Sequence, residues 1–268
     1  MNLTRQIVFV ETSIQVQRAL AEFSQRHQLE RALASSSIQA VTSRYVWMEY
    51  QRTLIADYAH VHETMSRYID WGALFHHILD GPRAFRPRSA VRCTQIVGQL
   101  FQESAEDYDM AHRILRLQIA HDLRQRFWTH VSPLDDPIGC DLLTNGIKRQ
   151  STGNYTVAAR SRKETAACRL PDFLTEHRTE LQTIATYLAA HANVIKHQAR
   201  VERILATVIE DPRAALGQTS CWPLVDVIIV LQVPTEAALW TLDADFEPLT
   251  EALGLTLYRP NLDKPIPA

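Results

Sequence analysis

An α/β fold, with a parallel sheet and helices on its faces, is predicted by three features of the sequence. Short apolar runs alternate with stretches of helical periodicity near both ends of the chain. Several of those runs close on a carboxylate, and in an open parallel sheet the binding crevice lies at the carboxyl ends of strands. The middle of the chain carries almost no strand signal and reads as helices. With 268 residues, 46% hydrophobic and 22% charged, the chain has enough apolar material for a sizeable core. That composition excludes a disordered tail, a collagen-like chain and a coiled coil.

The elements follow in order. IVFVET at 7–12 is a strand closing on a carboxylate, and the next residues place Ile14, Val16, Ala19, Leu20 and Phe23 at helical spacing. A Ser-rich turn at 34–37 leads to a second strand at 38–41, after which Thr42 and Ser43 offer a side-chain oxygen to cap a helix carrying Trp47, Glu49 and Leu54. Residues 58–213 are mainly helical, interrupted by the Pro- and Arg-containing segment 81–88 and by a Pro- and Gly-containing segment at 131–156. Short apolar runs return after Asp211-Pro212. The run 225–233 is rich in Val and Ile like a buried strand, yet Pro223 suits a first helical position, so strand and helix both stand. A strand at 237–242, a short helix at 246–253 and a strand at 255–258 close the chain. The expected organisation is an α/β unit at 1–57 and 214–268 interrupted by a helical insertion at 58–213.

Cys93, Cys140, Cys168 and Cys221 lie far apart with no C-x-x-C pair, which argues against a disulfide framework or zinc ribbon and for a reduced, cytoplasmic chain. The run 7–10 is too short for a secretory segment, and Asp226 interrupts the longest apolar stretch, so no membrane role is expected. The formal net charge is −2, but the charge is segregated: from Glu210 to Glu251 there are eight acidic residues and one basic, Arg213.

Asp226 sits among Leu224, Val225, Val227 and Ile228, where a carboxylate is costly to bury unless it is paired, protonated or bound to a cation. Glu11, Asp243 and Asp245 end strands. Such a cluster repels itself, and a divalent cation with hard oxygen ligands relieves the repulsion best. The implied chemistry is metal-assisted phosphoryl or phosphodiester cleavage. Plainer roles exist for each acid: Asp226 as a helix N-terminal acid, Glu49 as a solvated helix residue, Asp245 as a helix cap and Glu11 as a structural strand-end acid. Two basic segments suit backbone phosphates, one with Lys148, Arg149, Arg160, Arg162 and Lys163, the other with Arg83, Arg86, Arg88 and Arg92. Tyr155 and Phe85 within them suit base stacking, and solvated surface is the alternative. His60 and His62, and His76-His77 with Asp80, read as solvated helix surface; Cys140 and Cys168 read as buried thiols.

The pieces VFVETS at 8–13, TSRYVWMEYQRTL at 42–54, LVDVIIVLQ at 224–232 and LWTLDADFEPL at 239–249, followed by LGLTLYRP, resemble in chain order the motifs of PIN-domain nucleases. The resemblance covers both chain ends and none of the middle. It implies a three-layer α/β/α sandwich, with 224–231 helical. It maps Glu11, Glu49, Asp226 and Asp243 onto the catalytic, metal-binding acids, with Asp245 as a fifth, and Thr12 and Thr241 onto positions that orient acids and water. It implies a Mg2+- or Mn2+-dependent nuclease acting on nucleic acid, single-stranded or structured RNA, and leaving 5′-phosphate and 3′-hydroxyl ends. The chain departs from the family at Glu11, where Asp is usual, and in the insertion. Those departures leave two other readings: an impaired module that binds nucleic acid or protein, and a toxin-like nuclease held by a regulatory protein partner; a homodimer is compatible with each.

Overall fold

A computed structural model describes residues 5–80, 87–139, 147–151, 153, 155–157 and 168–260. Strand β1 (Gln6–Val10) is followed by helices α1 (Thr12–Leu20) and α2 (Phe23–Leu33), strand β2 (Ile38–Thr42) and helix α3 (Arg44–Tyr50). A π-helical turn, Gln51–Ile55, leads into α4 (Ala56–Met65), α5 (Trp71–Asp80), α6 (Pro87–Glu103) and α7 (Tyr108–Leu117). A second π-helical turn, Gln118–Asp122, leads into α8 (Leu123–Trp128). Strand β3 (Ser132–Pro133), the hairpin β4 (Ile147–Arg149) and β5 (Tyr155–Val157), and helices α9 (Leu170–Glu176), α10 (Arg178–Ala190) and α11 (Gln198–Glu210) come next. The chain closes with α12 (Gln218–Cys221), α13 (Val225–Val230), β6 (Ala238–Trp240), α14 (Phe246–Leu253) and β7 (Thr256–Leu257).

The main sheet has five strands in the order β3-β2-β1-β6-β7, and every neighbouring pair is parallel. Val8 lies opposite Ala40 on one side and Ala238 on the other. Alternation along the strands then builds two faces. Val8, Val10, Ala40 and Trp240 pack with Leu29, Ala32 and Leu33 of α2, whereas Phe9, Val41 and Leu239 join a larger apolar cluster reaching Leu54, Leu205, Ile228 and Leu249. Helices therefore cover both faces, the three-layer α/β/α arrangement, and burial on both sides explains why IVFV is continuously apolar. The chain leaves β1 toward β2 and later returns to β6 on its other side. In open parallel sheets ligands bind where the strand order reverses, which here is at the carboxyl ends of β1 and β6.

The ambiguous run forms α13. Val227, Ile228, Ile229 and Val230 are all buried, so beyond its first turn this helix shows no polar face and has a strand's composition. Ser43 caps α3 by accepting from the Val46 amide at 3.1 Å.

The middle of the chain is less separate from the sheet than its helical signal suggests. It supplies β3, whose Ser132 lies opposite Val41, on an edge where a proline is tolerated. Phe127, Leu205 and Val208 share one apolar cluster with Phe9 and Leu239. Polar ties cross the same boundary: the buried Arg18 guanidinium, held by Glu30 of its own segment at 3.0 Å, donates to the Thr129 carbonyl, and Tyr187 donates to Glu251 at 2.8 Å.

His62 departs from the expected solvated surface and is fully buried, its ring stacked on His112 at 4.3 Å. The cause is the packing of α4, which is enclosed by α6, α7 and β5 and keeps no broad solvent face at that position. Burial lowers the His62 imidazole to about 4. His76 and Asp80 do form an exposed pair at 3.3 Å. Among the described residues no helix is long and apolar enough to cross a membrane.

Candidate acidic site at the strand ends

Glu11 follows β1 directly and occupies the N-cap of α1, where only 4% of it is exposed. Its Oε2 accepts from the Ser13 amide at 2.8 Å, from the Ser13 hydroxyl, and from Thr241 Oγ1 at 3.0 Å. Thr241 follows β6 in the same way and accepts from the Asp243 amide at 3.0 Å, while Ser13 Oγ accepts from the Leu242 amide at 2.8 Å. The carboxyl ends of the two central strands are thus latched through one carboxylate and two hydroxyls. On α3, positioned by the Ser43 cap, Glu49 accepts from the Thr12 hydroxyl through Oε2. Asp226 enters from the first turn of α13 and is half-buried.

Asp243 and Asp245 carry a cation from the middle of the chain. Lys196 Nζ donates to Asp243 Oδ1 at 3.1 Å and to Asp245 Oδ2 at 3.0 Å, and the Lys196 amide donates to Asp245 Oδ1 at 3.2 Å. Arg88 Nη1 stands 3.9 Å from Asp243 Oδ2. Asp245 holds the N-cap position of α14, but its side chain makes no capping bond. Both its oxygens turn to Lys196, so the helix-cap alternative for this residue is corrected.

The electrostatics follow from burial and crowding. Burial, opposed by the Ser13 and Thr241 hydrogen bonds and reinforced by Asp226, pushes Glu11 up to about 7. Glu49 is pushed up to about 7 by burial and then by the charge of Glu11. Asp226 reaches about 7 through burial and the charges of Glu49, Asp243 and Asp245, which outweigh Arg88. Asp243 goes the other way: burial works to raise it, but Lys196 and Arg88 hold it below the usual carboxylate range. Lys196 is raised in return, mainly by its hydrogen bond to Asp245.

A hard divalent cation suits this donor set. Four carboxylates from separate parts of the sequence feel one another's charge, three of them at a high electrostatic cost, and a lysine already serves as counter-ion to the fourth. Among the described residues no three His, Cys, Asp or Glu stand in ligating positions as they are. Glu11 turns to Ser13 and Thr241, Glu49 to Thr12, and Asp243 to Lys196.

The basic residues divide differently from the sequence reading. Arg83, Arg86, Arg160, Arg162 and Lys163 lie outside the described residues, as do Phe85 and Cys140. Lys148 and Arg149 lie on β4, where Arg149 is exposed. Arg88, at the start of α6, reaches the acidic site itself. Tyr155 is corrected as a stacking platform: it is buried with its ring against His62 at 5.8 Å. Sequence reasoning missed Ser13, Lys196 and Arg52, whose guanidinium lies 4.0 Å over the Trp222 ring. Ser13 could have been found in VFVETS as a first-turn hydroxyl beside a strand-end acid. Lys196 lies between α10 and α11 with no motif around it. Compared with protein-family models, curated proteins and solved structures, the chain matches none.

Proposed function

We propose that this protein is a divalent-metal-dependent nuclease that hydrolyses phosphodiester bonds of RNA. The observation that carries the reading is the convergence of Glu11, Glu49, Asp226 and Asp243 at the reversal point of a parallel sheet, each shifted by burial or by its charged neighbours. The resemblance of the chain ends to PIN-domain nucleases supports the same assignment. Glu11, Glu49, Asp226 and Asp243 would hold Mg2+ or Mn2+, with Asp245 beside them. The bound metal would make the attacking water more acidic and brace the charge developing on the leaving oxygen. The chain's own part is to position and to move the proton. Thr12 orients Glu49 and Thr241 orients Glu11, each by donating to Oε2. A carboxylate oxygen of this cluster left free of the metal would be the group placed to accept the water's proton. The test is incubation of the purified protein with end-labelled single-stranded RNA in Mn2+, in Mg2+ and in EDTA. Metal-dependent cleavage leaving 5′-phosphate ends is expected; no cleavage of RNA or DNA in either metal sinks the proposal.

A second reading, a binding module without catalysis, is favoured by the satisfaction of Glu11 and Asp243 by protein donors. Glu11→Asp separates the two. The extra C–C bond of Glu displaces the carboxylate by about 1.5 Å on a fixed backbone, against a tolerance of about 0.5 Å in a productive site. In the structure the longer arm bends back to cap the Ser13 amide, a bond that Asp at an N-cap can also make. Glu11→Asp is expected to cleave about tenfold faster or more, equivalent to about 1.4 kcal/mol. The gain should be larger in Mg2+, whose octahedral geometry is stricter. Initial rates in each metal check this, and a slower variant would mean that the site is built around the longer acid.

A further inference from the structure

Beside the acids lies a cavity of about 480 Å3 lined by Arg88, Lys196, Arg200, Trp222, Asp226 and Asp245. Its charge is divided. Asp226 and Asp245 belong to the proposed metal site, while the three cations come from the start of α6, the turn before α11 and the first turn of α11. Solvated surface cations would point apart. Arg88 and Lys196, more than a hundred positions apart in sequence, instead reach the same carboxylate, Asp243. Both remain accessible, with their side chains 68% and 52% exposed. The Arg52 guanidinium lies over the Trp222 ring, 4.0 Å from its centroid.

We infer that this cavity is a subsite for one nucleotide of a single-stranded substrate, with Arg88, Lys196 and Arg200 holding its phosphate and Trp222 meeting its base. The inference rests on the metal-holding part of the proposed function, because acids without a cation on one wall would repel the phosphate. Its size falls within the range of small-ligand pockets, roughly 300–1,000 Å3. Arginine presents paired donors that match a phosphate, and an aromatic face stacks any base. Lys196 then has two partners in turn. Asp243 and Asp245, which now pair with Lys196, would turn to a divalent cation when one is bound, and the Lys196 ammonium, which also lines the cavity, would then be available to the phosphate.

The test uses the full chain in Mn2+ and titrates uridine 5′-monophosphate, uridine and inorganic phosphate by calorimetry. The nucleotide is expected to bind more tightly than either half alone. Arg200→Gln, at an exposed position, should weaken nucleotide binding about tenfold, the effect of losing a hydrogen bond to a charged group. Lys196→Gln should act in opposite directions on two ligands, weakening the nucleotide and tightening Mn2+ by removing its competitor. Nucleotide affinity unchanged in both variants overturns the subsite, as does uridine binding as tightly as its monophosphate. Inorganic phosphate binding as tightly as the nucleotide overturns the assignment to a nucleotide. If nucleotide binding follows the variants but no RNA is cleaved, the subsite stands and catalysis is what fails.

Discussion

Under the proposed nuclease function, Asp226→Asn is expected to cleave RNA about a thousandfold more slowly than the parent, because losing a metal-holding acid would forfeit about 4 kcal/mol of transition-state charge stabilisation. The same substitution should stabilise the metal-free protein. Asp226 is half-buried and crowded by Glu49, Asp243 and Asp245, so at neutral pH its charge is carried against burial and three like charges. Asparagine keeps the shape and removes the charge. A gain of about 1–3 kcal/mol is expected at pH 8, and Mn2+ should then raise the melting temperature little. Thermal melts of parent and variant with and without Mn2+ read both effects. A variant that is less stable than the parent yet keeps its full Mn2+ shift would make Asp226 a structural acid and remove it from the site.

The positions of Glu11, Asp226 and Asp243 were legible in the sequence because the physics that places them is local, whereas Glu49, a solvated helix residue by local pattern, was singled out only by the resemblance to PIN-domain nucleases. A strand buried on both faces must be apolar, so the first carboxylate after IVFV or ALW marks the strand end, and Glu11 and Asp243 follow. Asp226 drew attention because a charge amid Val and Ile is costly wherever it lies. Periodicity could not decide whether its segment was strand or helix, since four consecutive residues of α13, Val227 to Val230, are buried. The rest depended on long-range packing. Strand β3 is two residues long and includes Pro133, and it exists as a strand only because β2 offers an edge. His62 looked like a solvated helix residue until α6, α7 and β5 closed around α4. Lys196 follows α10 by six positions with no motif near it, and only the docking of α10 against α14 carries that turn to Asp243 and Asp245.

The raised carboxyls also make a prediction for pH. Glu11 and Glu49 move from 4.5 to about 7 and Asp226 from 3.8 to about 7, so between about pH 4 and 7 the folded protein holds protons that the unfolded chain has released. Stability from these groups is therefore full at the acid end of that window, falls as pH rises through it and levels off above about 7. Asp243 has the opposite sign: its lowered pKa contributes stability above the ordinary carboxylate value of 3.8, which is lost as pH falls further. The windows hardly overlap, so the site's contribution in metal-free protein should peak near pH 4–5 and decline by a few kcal/mol, about 2–4, by pH 8. Denaturant melts at pH 5 and pH 8 in EDTA measure the decline, and Asp226→Asn should reduce it. Added Mn2+ should flatten it as well, because the cation competes with the same protons and binds best once they have left. Its stabilising effect should accordingly be larger at pH 8 than at pH 5. A metal-free protein that is more stable at pH 8, with a Mn2+ effect independent of pH, would mean that these carboxyls are not the groups meeting the cation.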